Sequence, residues 1–256
     1  MLYQFWIAYL TIARREVLRF TRIWVQTIFP PVMMVALYFI IFGNLIGQRI
    51  GEMDGMSYVD FLMPGLVMMS IITNSYTNVV SSFYGAKYSR HIEEMQVAPV
   101  PNIVILLGFV SGGMARGISV GVAVTLVSLL FTDFHMHSPL IVLLVALLTS
   151  CLFSLAGLIN AIFANSFDDI TIIPTFVLTP LTYLGGIFYS IKLLPEFWQT
   201  ASLGNPILYM VNSFRYGFRG SSDIDLQSAL LIIVLFIIVL FAVSLTLLSR
   251  GTGIRQ

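Results

Sequence analysis

Few residues in this chain are suited to covalent or metal chemistry. His135 and His137 stand two apart and offer a pair of imidazoles, but a closed metal site takes four ligands, so a plain outer loop is the weightier reading of them. Cys151 is the only cysteine, which excludes an intrachain disulfide and a cysteine-built metal site. Neither Lys87 nor Lys192 follows a glycine, so there is no G-x-x-x-x-G-K-[ST] loop to cradle nucleotide phosphates. H-E-x-x-H is absent as well, which removes the commonest membrane-metalloprotease chemistry, and the one G-x-S-x-G match, Gly117–Gly121, lies inside an apolar stretch and not at the strand-to-helix turn that such a serine needs. The sequence therefore reads as non-enzymatic, without a catalytic, cofactor-binding or metal-ligating residue of its own.

Other polar groups lie inside apolar surroundings. Ser70, Asn74, Thr77 and Ser81 advance in steps of three or four and so share one stripe of a helix, with Thr73 and Asn78 flanking it. Thr175, Thr179 and Thr182 repeat the pattern further on. Inside hydrocarbon such groups need partners or water. Each residue taken singly reads as interhelical glue, and the set reads as the lining of a polar path or of a dimer seam. Arg116 is the clear ionisable residue in an apolar stretch, about seven residues from the cytoplasmic end of its expected span and so near enough to snorkel or to pair internally, and structural pairing outweighs a direct substrate role. Acid or histidine relays of the kind that drive proton-coupled carriers are missing.

The segment Gly85–Asn102, GAKYSRHIEEMQVAPVPN, gathers Lys87, Arg90, Glu93 and Glu94 in a chain otherwise poor in charge. Arg90 and Glu94 have the spacing of a helical i,i+4 pair, and Pro99 and Pro101 stop the helix. A short stiff helix held between two spans can pass force to a soluble partner. A solvated connector is the equal alternative.

The elements that must position these residues are set by composition. Of 256 residues, 58% are hydrophobic and 10% charged, and the mean hydropathy is +0.93. A soluble domain carries about 25% charged residues. A net charge of +1 gives no field to hold nucleic acid. The class is an all-α polytopic membrane protein. A bilayer core takes about 20 apolar residues per helix. Six stretches approach that, Val25–Leu45, Tyr58–Ser81, Phe109–Phe131, Leu140–Phe163, Ile172–Tyr189 and Ala229–Leu248. The fifth carries Pro174, Pro180, Gly185 and Gly186 and is expected to be broken. Gly113, Gly117 and Gly121, preceded by Gly108 and Gly112, predict close helix packing within the subunit. Residues 1–24 lack the basic start of a signal peptide. They form an amphipathic helix with Phe5, Tyr9, Ile12, Ala13, Val17, Phe20 and Trp24 on one side and Gln4, Thr11, Arg15 and Arg22 on the other. That helix suits the membrane interface, or packs its apolar side on the protein, or both. The stretch LPEFWQTASLGNPILYMVNSFRYGFRG suits two short re-entrant helices hinged at Gly204–Pro206, with Trp198, Tyr209 and Tyr216 at an interface and Arg215 in a structural role. Arg14, Arg15, Arg19, Arg22, Lys87, Arg90, Arg250 and Arg255 fall on the side of the two termini, against Arg49, Lys192, Arg215 and Arg219 opposite. The bias puts both termini in the cytoplasm. One transmembrane domain, residues 25–249, follows the first helix, and 250–256 form a cytoplasmic tail.

FGNLIG at Phe42–Gly47, MPGL at Met63–Leu66, IEEMQVAPVP at Ile92–Pro101, PTFVLTPLTYLGGIFY at Pro174–Tyr189 and NPILYMVNSFRYGF at Asn205–Phe218 run in order along most of the chain. Together they resemble the ABC-2 type permeases, the membrane subunits of one class of ABC exporters. Met95–Gln96 departs from the family pattern, which has two leucines there. The resemblance implies a six-helix subunit of the bacterial inner membrane that dimerises and binds two copies of a separate ATPase, which would carry the ATP and Mg. It also implies a coupling role for Arg90, Glu93, Glu94, Met95 and Pro99. A second contact would come from the loop Ala164–Ile170, with Phe167, Asp168 and Asp169. Family members move drugs, lipids, polysaccharides or other compounds outward. The competing expectations are a self-contained carrier or channel, which the missing acids oppose, and a non-transporting scaffold, which the polar stripes oppose.

Overall fold

A computed structural model describes residues 2–47, 51–53, 55–132 and 136–253. His135, Arg49 and Arg255, each weighed above, lie outside the described residues. Among the described residues the regular structure is helical, apart from a hairpin of two short strands that pairs Glu52–Met53 with Met56–Ser57. Helix α1 spans Leu2–Arg22 and α2 spans Trp24–Tyr38, the latter prolonged by wider π turns over Phe39–Ile46. Then come α3, Tyr58–Tyr88; α4, His91–Val97; α5, Asn102–Ser128; and α6, Pro139–Phe163. Two short helices follow, α7 (Asp169–Ile173) and α8 (Thr179–Tyr183), joined by π turns over Pro174–Leu178. Last are α9, Glu196–Leu203; α10, Pro206–Arg219; and α11, Leu226–Arg250.

Four described helices are long and apolar enough to cross a membrane: Trp24–Gly43, Asn102–Ser128, Pro139–Phe163 and Leu226–Arg250. The expected second span differs from these. It belongs to α3, whose 31 residues extend to about 46 Å at 1.5 Å each, but whose polar groups lower its hydropathy. Helix α3 is central and packs on α5, α6, α10 and α2's π extension. The expected fifth span is broken as its prolines require. Helix α7 widens at Pro174, and the chain turns at Gly186, whose φ of 73° favours glycine. Its residues Ile172, Phe176, Val177 and Tyr183 are exposed on the single chain.

Glycines set the spacing at the centre. A Cβ at Gly113 would collide with Ser154, one at Gly117 with Ser75 and one at Gly157 with the Tyr76 carbonyl, so α3, α5 and α6 meet backbone to backbone. On α1 the expected apolar side packs on the protein. Phe20 is buried, Ile12 fits over Gly108, and the Tyr9 hydroxyl lies 2.9 Å from that of Ser111. Trp24 is an exception, since it begins α2 and is exposed. Leu2, Tyr3, Trp6 and Ile7 remain exposed near the start of α1.

Two short helices, α9 and α10, occupy the stretch expected to be re-entrant, and the joint is at Gly204–Asn205. The Asn205 side chain caps α10 by accepting from the Ile207 N–H at 3.0 Å. Helix α10 is almost wholly buried against α3, α6 and α11. Arg215 is held inside the fold. It donates to the Gly186 carbonyl at 2.9 Å and lies 3.9 Å from the centroid of the Phe61 ring. It is therefore a structural cation, not a loop charge.

Candidate functional site

One end of the bundle gathers two segments that are far apart in sequence. The chain leaves α3, turns at Ser89–Arg90, and enters α4. Arg90 adopts φ 62°, the left-handed region, and precedes the helix. It therefore stands off the helical face, and no ion pair with Glu94 is present among the described residues, in contrast to the i,i+4 expectation. Helix α4 ends at Val97, ahead of Pro99 and Pro101, as expected. Ile92 is its buried anchor, while Glu94 and Pro99 are exposed and Glu93 and Met95 are half-buried.

Lys87 ties this hairpin to the second segment. Its ammonium donates to the carbonyls of Ile162 at 2.8 Å and Ala164 at 2.7 Å, the orphan acceptors at the end of α6. Beyond them Phe167 sits edge-on to Tyr84, with ring centroids 4.9 Å apart, and 5.4 Å from Tyr88. The Asp169 carboxylate closes the loop by accepting from the N–H groups of Asn165 at 2.8 Å and Ser166 at 3.1 Å, while Asp168 is exposed beside it. A small cleft of about 230 Å³ lies between the segments, lined by Tyr84, Lys87, Tyr88, Arg90, Glu93 and Asn165 among others. Of the residues expected at a coupling site, Arg90 and Glu93 thus share a cleft with the loop that carries Phe167, Asp168 and Asp169, whereas Glu94, Met95 and Pro99 do not line it; Lys87 and the two tyrosines, which sequence reasoning gave no such task, fasten the two segments. Burial lowers the Lys87 ammonium from its ordinary value, and the Asp169 charge partly opposes this.

The Asn165 N–H and the Ser166 hydroxyl hold the Asp169 carboxyl below the usual carboxylate range. A depressed folded value means that its stabilisation is complete above the unfolded value of about 3.9 and is lost as pH falls through the folded one. Amide protection in 164–170 is therefore expected to drop below about pH 4. In D169N it should be low at every pH. Equal protection at neutral and acid pH in the wild type would refute this.

The polar stripes separate. Ser70, Asn74 and Thr77 line a cleft between α2, α3 and α5, whereas Ser81 opens into another beside α1. Most give their protons to their own helix: Ser70 Oγ to the Leu66 carbonyl at 2.9 Å, Asn74 Nδ2 to that of Ser70 at 3.0 Å, and Ser81 Oγ to that of Thr77 at 2.7 Å. Thr175 and Thr179 are exposed on the α7–α8 segment, and Thr182 is buried. His137 packs edge-on against Tyr216, with centroids 6.0 Å apart.

A family profile described as ABC-2 type transporter matches residues 7–218, and so includes both converging segments. The chain belongs to the ABC-2 type transporter family. Over 256 residues, the whole of both chains, it is 56% identical to the Inner membrane transport permease YadH of Escherichia coli (strain K12). It is similar at 23% identity over 243 residues, 94% of each chain, to Nodulation protein J of Rhizobium leguminosarum bv. viciae. Nodulation protein J of Rhizobium meliloti (strain 1021) is 24% identical over 246 residues, 96% of this ABC-2 chain and 93% of its own.

Proposed function

We propose that this chain is the membrane-spanning permease subunit of an ATP-binding cassette exporter in the bacterial inner membrane. It works as a homodimer with two copies of a separate ATPase, which binds ATP and Mg. The observation that carries the reading is the tie between the end of α3, which leads into α4, and the 164–170 loop, made by Lys87 on the Ile162 and Ala164 carbonyls and by Tyr84 and Tyr88 against Phe167. That join makes one cytoplasmic surface for a soluble partner. In this reading α3 and the α7–α8 segment add two crossings to the four apolar helices, which makes six, with α9–α10 re-entrant and both termini cytoplasmic. The exposed apolar flank of α7–α8, with Thr175 and Thr179 on it, needs a covering surface, and a second copy supplies it as part of a dimer seam. The stripe Ser70, Asn74 and Thr77 lines the translocation path, and Ser81 and Thr182 continue the two stripes.

The test is co-expression with a Walker A ATPase encoded beside this gene. Stable co-purification and ATP hydrolysis by the reconstituted pair are expected, with no hydrolysis by the permease alone. Substrate movement by the permease alone, driven by an ion gradient, would overturn the proposal in favour of a self-powered carrier.

A further inference from the structure

The cleft between α2, α3 and α5 has a volume of about 320 Å³, and Arg116 lines it. Pockets for drug-sized ligands begin near about 300 Å³. The internal pairing expected for Arg116 is not what the structure holds. Its Nε is buried without a hydrogen-bond partner, and no ion pair joins its guanidinium to a described residue. No carboxylate lines the cleft. Glu16, the acid of the neighbouring helix, is occupied by Arg15, Arg19 and Ser82. Helix α5 begins at Asn102, so Arg116 lies about 21 Å along it at 1.5 Å per residue. Its side chain cannot reach that end. A half-buried cation in the middle of an apolar helix, with no acid beside it, calls for a counter-charge.

The walls define the rest of the ligand. The hydroxyl of Thr27 donates to the Phe20 carbonyl at 3.3 Å, and Ser70 and Asn74 likewise donate to backbone. Arg116 is thus left as the charged donor. Met34, Tyr38 and Met69 provide an apolar side that adapts to a chain, and Met34, Gln26 and Thr73 are exposed at the rim, where a ligand can enter.

We propose that this cleft binds the acidic headgroup of an amphiphile against Arg116, with the apolar tail along the methionine wall. As a statement about cargo this rests on the permease reading, and as a statement about binding it does not. The chemistry is shared by an acidic bilayer lipid and by a free anionic amphiphile.

The test uses the full chain in a neutral maltoside detergent, with decyl phosphate as probe and decanol as control, and needs neither ATPase nor transport. Saturating decyl phosphate is expected to raise the melting midpoint by about 3 °C, a shift that decanol does not give. R116Q should lose the shift and, without probe, melt no lower than wild type, because it removes an unpaired charge. R116K should keep part of the shift. Native mass spectrometry after extraction from phosphatidylglycerol bilayers separates the sources. One retained lipid per subunit, absent from R116Q, assigns the site to a bilayer lipid. An empty wild type that binds decyl phosphate assigns it to a free amphiphile. Equal shifts with decanol, an unchanged shift in R116Q, or a large loss of stability in R116Q without probe would each overturn the proposal. The last would show that Arg116 is a structural pair member.

Discussion

Permease carrying E93K and E94K is expected to lose its ATPase partner while still inserting and folding. Glu94 is exposed on α4, and Val97, three residues on, is 89% exposed, an unusual position for a valine that nothing covers. Tyr88 and Phe167 extend the same surface and are also exposed. An apolar patch edged by acid residues is the form of a protein contact with a basic, partly apolar face. Reversing charge at such a contact costs several kcal/mol where it is desolvated. A solvated connector would lose well under about 1 kcal/mol, since exposed charges contribute little. Glu93 also borders Lys87 and Arg90 in the small cleft, so its reversal has an internal cost. The single variant E94K separates the two effects. It should keep the wild-type melting midpoint and still weaken pull-down of the ATPase and the hydrolysis coupled to it. Wild-type association in the double reversal would refute the coupling site and leave α4 a connector.

Much of this surface was legible in the sequence because its signals are local. Prolines 99 and 101 mark the end of α4, and the charges of the hairpin stand out against an apolar chain. The Arg90–Glu94 pair was not, since spacing alone assumes a helix that already includes Arg90. The left-handed turn there precedes the helix. The role of Lys87 was hidden for a different reason. Its acceptors are backbone carbonyls of α6, which carry no side-chain signature. Hydropathy also placed the start of the third span at Phe109, although α5 begins at Asn102 directly after the proline stop. That shift moves Arg116 two turns deeper along its helix and changes it from a residue able to reach the helix end into one that lines a cleft. The broken fifth segment was readable from its prolines and glycines. What lies against it was not, because a contact made outside one chain leaves no trace in that chain's periodicity beyond an unexplained apolar flank.

Glu16 carries the other large expected effect, and here a signal was present. It stands four residues after Ile12 and four before Phe20, so it shares the apolar side of α1, where a carboxylate is out of place. The structure buries it completely. It accepts from the Ser82 hydroxyl, lies 3.2 Å from Arg15 and 3.4 Å from Arg19, and Arg19 in turn donates to the backbone and side-chain oxygens of Asn78 at 2.9 and 2.7 Å. Its stem fills the space left by Gly112, where any Cβ would collide with it. The acid thus locks α1 into the groove between α3 and α5. Breaking a buried pair costs about 3–5 kcal/mol, because the surviving partners stay desolvated. Arg15 and Arg19 are partly exposed and can recover some hydration, so the lower end of that range, about 3 kcal/mol, applies to E16A. For a chain of this length that corresponds to a melting midpoint lower by about 6–12 °C. E16Q, which keeps the shape and one acceptor for Ser82, should fall between E16A and the wild type. G112V attacks the same lock from the opposite wall and should destabilise without changing any charge. Together with E16A it should cost less than the two separately, since alanine at position 16 vacates the space that valine needs. Strict additivity of the two, or an E16A midpoint within about 1 °C of wild type, would mean that Glu16 is hydrated and that α1 rests on the bundle without being fastened to it.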